Sequence, residues 1–268
     1  MTITPFRYPG AKNKMLPLIM HYLDQIISDE NHFIDLFVGG GSVLLEVANR
    51  YPDIKLYAND KDYWISSFWS VVAGDDSKKL GELLARVEVQ PTLDLFYKLR
   101  GEPPADDVEC AYRAIFFNRT TFSGIFNSGP IGGKGQKSKY TIDCRYNVDK
   151  IQKKILNCAR LLSGRTQVTC LDFSDHPEFI NTDYPVYLDP PYVKAGKALY
   201  AVFMDNNEHI HLASLLSKKK NWILSYDDHE LIRSLYKNCD FYDAERNYSI
   251  NGSKTEWSQK TELIIVPK

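Results

Sequence analysis

The 268-residue chain reads as an α/β protein with a largely parallel sheet and a mostly helical segment inserted into it. Three observations predict this. An apolar run at 32–38 breaks at Gly39-Gly40-Gly41, passes into a helical pattern and reaches a second apolar run at 54–59. Strand, glycine turn, helix and strand in that order make a βαβ unit. Helical periodicity then dominates 62–163, and strand-like runs return only at 167–173, 185–189, 222–226, 240–246 and 261–267. The two ends therefore build one sheet domain, residues 1–62 with 166–268, and residues 63–165 form an insertion between its halves.

Element by element, the chain opens with the turn-rich stretch Pro5-Phe6-Arg7-Tyr8-Pro9-Gly10-Ala11, followed by Lys12. Met15, Leu18, Ile19, Tyr22, Leu23 and Ile26 then recur at helical spacing. Val43, Leu44, Val47 and Ala48 continue a second helix after the glycines, closed by Pro52. Within the insertion, helical patterns cover 62–73, 77–88, 91–100, 106–118 and 147–163. The polar stretch from Arg119 to Tyr146 is too long to be a plain connection and is expected to be functional. Helices at 207–219 and 228–237 flank the strand at 222–226.

Composition excludes several classes. With 44% hydrophobic and 25% charged residues the chain is globular, not disordered. Net charge is -1, so contact with nucleic acid would have to come from a local patch. The five cysteines, Cys110, Cys144, Cys158, Cys170 and Cys239, include no C-x-x-C pair, which speaks against a zinc site or a disulfide framework. No signal pattern and no 18-residue apolar run is present. The expectation is a cytoplasmic protein, monomeric and without membrane contact.

The chemistry centres on Tyr187-Leu188-Asp189-Pro190-Pro191-Tyr192. Two prolines cannot continue a sheet ladder, so a central strand must end at Asp189. Asp189 offers acceptor oxygens, Pro190 a carbonyl and Tyr192 a ring face. That set fits a planar amine with two N–H donors, such as the exocyclic amine of a nucleobase. Read alone, the same residues also suit a simple strand end and turn.

Phe37-Val38-Gly39-Gly40-Gly41-Ser42 follows a strand and opens a helix, so a ligand can approach the backbone closely there. A dinucleotide fingerprint would need a third glycine where Leu44 stands, which weakens a nicotinamide reading. Asp60 lies at the distance where a carboxylate can meet ribose hydroxyls. A nucleoside ligand without a pyrophosphate, such as S-adenosylmethionine, fits better. Glycine and Ser42 acting merely as helix-capping residues remains an alternative.

Taken together, these pieces resemble the Dam-like, D12-class alpha group of N6-adenine-specific DNA methyltransferases. Phe6-Arg7-Tyr8-Pro9-Gly10-Ala11-Lys12 looks like that family's N-terminal cofactor motif, and Phe33 to Ser42 like its glycine motif. Tyr57-Ala58-Asn59-Asp60 resembles its acidic loop, Asp189-Pro190-Pro191-Tyr192 its catalytic motif, and Arg246 to Ser253 its C-terminal loop. The resemblance implies a Rossmann-like methyltransferase fold, S-adenosylmethionine as methyl donor and adenine N6 in double-stranded DNA as acceptor. It implies that Tyr8, Lys12, Phe37, Gly39, Gly41, Ser42, Asp60 and Asp189 contact the donor, and that Asp189, Pro190, Pro191 and Tyr192 hold the adenine. Tyr8 stands where the family often has Trp. The recognition segment departs further: Asn118 to Gly129 carries Asn127 where many GATC-recognising members have a second arginine, so the resemblance leaves open whether the recognition sequence is GATC or another.

DNA contact is expected from the insertion. Between Arg119 and Arg165 there are ten cations against Asp143 and Asp149, a local charge of +8. Phe122, Phe126 and Tyr140 are interleaved with them, as phosphate contact plus groove insertion requires. Arg119, Asn127, Lys134, Lys137, Lys139 and Arg145 are the candidate DNA-binding residues here, with Lys254 and Lys260 from the second polar loop. The target adenine must be flipped out of the duplex, and Tyr192 would stack on it. The competing functions are methylation of RNA adenine or of a cytosine amine, and a non-catalytic DNA-binding regulator of the same fold.

Overall fold

The structure is a computed structural model and describes residues 4–7, 12, 15–27, 30–193, 203–247 and 259–268. Among these residues seven strands form one sheet in the order β3-β2-β1-β4-β5-β7-β6. They are β1 (His32–Asp35), β2 (Lys55–Asn59), β3 (Thr166–Thr169), β4 (Val186–Leu188), β5 (Trp222–Asp227), β6 (Cys239–Asn247) and β7 (Gln259–Pro267). The first five run parallel, and β7 lies antiparallel between β5 and β6. This is the Rossmann-like α/β architecture expected of the sequence.

Both faces of the parallel strands are covered, which is why they read as unbroken apolar runs. Alternate residues of one strand point to opposite faces. Phe33 joins Leu56, Ala58 and the helical residues Ile65, Trp69, Phe117 and Ile155 in one core. Its neighbour Ile34 joins Val186, Leu188, Leu224, Leu212 and Ile232 in the other.

Preceding β1 is α1 (Leu16–Ile27), and α2 (Ser42–Arg50) follows the glycine turn. Five helices fill the insertion: α3 (Tyr63–Ala73), α4 (Ser77–Glu88), α5 (Leu93–Gly101), α6 (Asp107–Thr120) and α7 (Val148–Leu162). Each starts on a side-chain cap, namely Asp62, Asp76, Thr92, Asp106 and Asn147, which accepts a backbone N–H of the first turn. Because Ile65, Trp69 and Ile155 share a core with β1 and β2, α3 and α7 dock the helical segment on the sheet.

Two strands are shorter than their apolar runs. β1 ends at Asp35, since Gly39 and Gly41 adopt left-handed φ values of 43° and 69° and turn the chain toward α2. β3 ends at Thr169, because the Asp172 side chain accepts from Ser174 N and winds residues Phe173–Asp175 into a 3₁₀ turn. The short helix α8 (Pro177–Asn181) has no counterpart in the periodicity; proline at its start and the His176 ring accepting from Phe179 N define it. Helices α9 (Asn206–Leu216) and α10 (Glu230–Leu235) complete the second face. No helix among the described residues is long and apolar enough to cross a membrane.

Candidate active site at the reversal of strand order

Strand order reverses between β1 and β4, and open α/β sheets bind ligands at the crevice beyond such strand ends. Register makes the juxtaposition specific. Ile34 pairs with Val186 and Asp35 with Tyr187, so the turn leaving β1 and the Asp189 corner leaving β4 emerge side by side. One cavity is lined by Phe37 to Val43 from the glycine turn, Asn59 to Asp62 beyond β2, and Asp189 and Pro191 beyond β4. Lys12, Asp35, Leu171, Asp172 and Phe173 line it as well. The two sites that the sequence suggested separately are thus one.

The glycine turn is braced from behind. Trp69 Nε1 donates to Gly39 O at 2.9 Å, and Thr4 Oγ1 donates to Gly40 O at 2.5 Å. Asp60 accepts Gly39 N–H and Asp62 N–H, both at 2.9 Å, which fixes its carboxylate against the turn. Desolvation, then the charge of Asp62, lifts the Asp60 pKa to about 7 despite these bonds. Asp35 is buried beneath the same turn and accepts Leu44 N–H at 3.2 Å. Burial and then the proximity of Asp189 push its carboxyl well above the usual range. Its Oδ1 has no hydrogen-bond partner among the described residues. A buried orphan acceptor, a glycine turn open to the cavity and the Asp60 carboxyl lining the same space suit a cationic nucleoside, so this cavity fits S-adenosylmethionine.

At the other end of the cavity, four polar side chains meet. Lys12 Nζ lies 2.8 Å from Asp189 Oδ1 and also contacts Glu262 and the Tyr192 hydroxyl. The Tyr192 hydroxyl reaches both Asp189 Oδ1, at 3.1 Å, and Glu262, and has one hydrogen to donate between them. Its ring packs 5.9 Å from that of Tyr226. Glu262 is buried, and desolvation raises its pKa to about 7 even though Lys12 opposes the shift. Pro190 is buried behind the corner, while Pro191 and Tyr192 are partly exposed.

The candidate DNA-binding residues divide into two groups. Asn127, Lys134, Lys137, Lys139 and Arg145 are exposed on the loop between α6 and α7, with Phe122 and Tyr140 exposed beside them. Gln136 organises this loop: its amide donates to Ile131 O at 2.8 Å and Gly133 O at 2.7 Å and accepts Ile142 N–H at 2.8 Å. Arg119 instead turns inward and donates to Pro5 O, and burial lowers its pKa to about 10. Asn118 accepts Arg7 N–H at 2.6 Å and donates to Arg7 O at 3.0 Å, and Lys154 Nζ donates to Thr4 O at 2.9 Å. Three side chains of the insertion therefore hold the strap at residues 4–7, which leads toward Lys12. Tyr8, Lys254 and the tail loop Tyr248 to Ser253 lie outside the described residues, as does the side chain of Lys260.

Sequence reasoning missed Asp35, Asp172, Asn118 and Glu262. Glu262 had one visible signal, a single acid opening the apolar strand Leu263-Ile264-Ile265-Val266. Its partner residues were unreadable, because only the antiparallel pairing of β7 with β5, Glu262 opposite Asp227, carries it to the cavity edge.

Comparison with known proteins identifies the family. The chain is 30% identical over 257 residues to the Retron Ec67 DNA adenine methylase of Escherichia coli, covering 92% of this chain and 87% of that protein. It is 26% identical over 214 residues to the type II methyltransferase M.MjaIII of Methanocaldococcus jannaschii, covering 74% and 72%. To the type II methyltransferase M.CviBI of Paramecium bursaria Chlorella virus NC1A it is 22% identical, covering 97% of each. The model of the D12 class N6 adenine-specific DNA methyltransferases matches residues 8–250. The chain belongs to the D12 class N6 adenine-specific DNA methyltransferase family.

Proposed function

We propose that the chain transfers a methyl group from S-adenosylmethionine to N6 of an adenine flipped out of duplex DNA, at the cavity shared by the glycine turn and the Asp189 corner. That shared cavity is the observation that carries the reading. Gly39 to Ser42, Phe37, Asp60 and Lys12 hold the donor, which supplies an electrophilic methyl when bound. Asp189 and the Pro190 carbonyl accept the two N6 hydrogens, which withdraws the amine lone pair from the ring and aims it into the cavity. Pro191 stiffens this corner and Tyr192 stacks on the base. Positioning and fixed dipoles supply the rate, with no covalent step at the protein. After N6 forms its new bond, it must release one proton, and Asp189 is the acceptor already in contact.

The division of labour follows the sequence expectation: residues 1–62 and 166–268 form the catalytic unit, and 63–165 the target-recognition insertion. Exposed Lys134, Lys137, Lys139 and Arg145 give the phosphate contacts, and Asn127 sits among them. Arg119 serves the N-terminal strap. The protein acts as a monomer in the cytoplasm.

The test is incubation with tritiated S-adenosylmethionine and defined duplexes, followed by mapping of the labelled base. Label is expected in adenine; label in cytosine, or in RNA alone, would replace this reading. Asp189→Ala should lower kcat roughly 10²–10³-fold, the usual loss of one aimed polar group.

A further inference from the structure

One of the two carboxylate oxygens of Asp189, the group proposed to receive the adenine amine, is already engaged. Lys12 Nζ stands 2.8 Å from Asp189 Oδ1, and the Tyr192 hydroxyl lies 3.1 Å from the same atom. Capture of the base through that oxygen requires an exchange: both groups must loosen their hold as the amine arrives. Both donors also contact Glu262. Glu262 is a buried carboxylate directly preceding the apolar run Leu263 to Val266 of β7, a placement that is costly without compensating partners. Two of its partners are the groups that compete with the substrate for Asp189.

We infer that Glu262 is a positioning residue of the acceptor site, a second carboxylate that takes over Lys12 and the Tyr192 hydroxyl so that Asp189 is released to the target amine. This role deepens the proposed reaction and rests on its assignment of Asp189. With Glu262 in place, Lys12 moves between two carboxylates and is never left uncompensated in a buried site. The Tyr192 hydroxyl likewise keeps an acceptor, which holds the ring in the plane where the base would stack. Without the Glu262 charge, Lys12 is drawn fully onto Asp189, and the incoming amine must compete with a cation for the same oxygen. The antiparallel insertion of β7 between β5 and β6 puts Glu262 there, because Glu262 pairs with Asp227, the last residue of β5.

The test uses Glu262→Gln in the full chain, read by steady-state methylation and by binding of duplexes carrying either adenine or 2-aminopurine, which lacks the 6-amine, at the target position. Expected are a fall of at least tenfold in kcat/KM for DNA and a loss of the binding preference for adenine over 2-aminopurine, with an unchanged Tm. In a Lys12→Met background the same substitution should lose most of its effect, since its influence travels through Lys12. A merely structural glutamate would instead give additive losses, and that outcome overturns the inference. So does a Glu262→Gln enzyme of wild-type activity beside an inactive Asp189→Ala enzyme. An active Asp189→Ala enzyme would overturn the underlying reaction assignment instead. Should Glu262→Gln lack the native Tm, Glu262→Asp, which keeps the charge but withdraws it by one methylene, carries the same comparison.

Discussion

Gly41→Ala probes whether the donor cavity depends on the backbone of one turn. Gly41 has φ +69°, and a Cβ there would lie 2.3 Å from Cζ2 and 2.6 Å from Cη2 of Trp69. Trp69 is fully buried and tied by its indole N–H to Gly39 O, so it cannot swing aside. A left-handed non-glycine residue costs roughly 1–2 kcal/mol, and overpacking a filled core adds about 1–3 kcal/mol. The stiffer unfolded chain returns roughly 0.4–1 kcal/mol. The net loss should be about 2–4 kcal/mol, or a fall in Tm of roughly 5–15 °C for a domain of this size. Thermal and urea denaturation measure it, and calorimetric titration with S-adenosylmethionine should show weakened binding as the turn is displaced. Trp69→Leu removes the opposing ring, so the double variant separates the two terms: steric coupling of about 1–3 kcal/mol should appear in the cycle. A Gly41→Ala protein as stable as wild type, or a cycle without coupling, would refute the role assigned to this packing.

Other outcomes follow from neighbouring contacts. Asn118→Ala strips both backbone groups of Arg7 of their partner and should cost about 1–3 kcal/mol, less than the roughly 1–3 kcal/mol per group of full burial because both bonds are only part-buried; urea denaturation reads this, and a neutral result would show that the strap is held by other contacts. Asp60 titrates near 7 in the folded protein but near 4 when unfolded, as an ordinary carboxyl does. The native state then binds more protons between those values, so this group favours folding most below about pH 4 and its contribution declines as pH rises toward 7. Relative to wild type, Asp60→Asn should therefore gain in Tm from pH 5 to pH 8; a constant difference would contradict the shift. Replacing Lys134, Lys137 and Lys139 together by Ala should reduce the slope of log K against log[salt] for duplex binding by about 2–3, at roughly 0.9 per phosphate contact. An unchanged slope would place the DNA elsewhere on the surface.

Local signals in the chain make much of this protein legible. Periodicity locates the helices of the insertion to within a few residues, because each begins on an Asp, Thr or Asn cap and buries an apolar stripe. The glycines at 39–41 and the prolines at 190–191 mark where the backbone must leave the sheet, so chain chemistry alone sets the ends of β1 and β4. Charge counting cannot tell which cations face outward. Arg119 and Lys137 look alike in sequence, yet one is turned inward to a backbone carbonyl and the other stands on an exposed loop. The direction of a side chain depends on what packs around it, which a linear pattern does not contain.

Residue order therefore determined the turn, the acidic corner and the family they belong to. Tertiary structure alone decided that they meet: β1 and β4 are adjacent only because the strand order reverses between them, and hydrogen-bond register then sets Asp35 beside Tyr187. Glu262 is the sharper case. Its approach to Lys12 is a contact between residues 250 positions apart, created when β7 enters the sheet antiparallel. Such a pairing is selected by the collective burial of the sheet's faces rather than by any local preference of the chain.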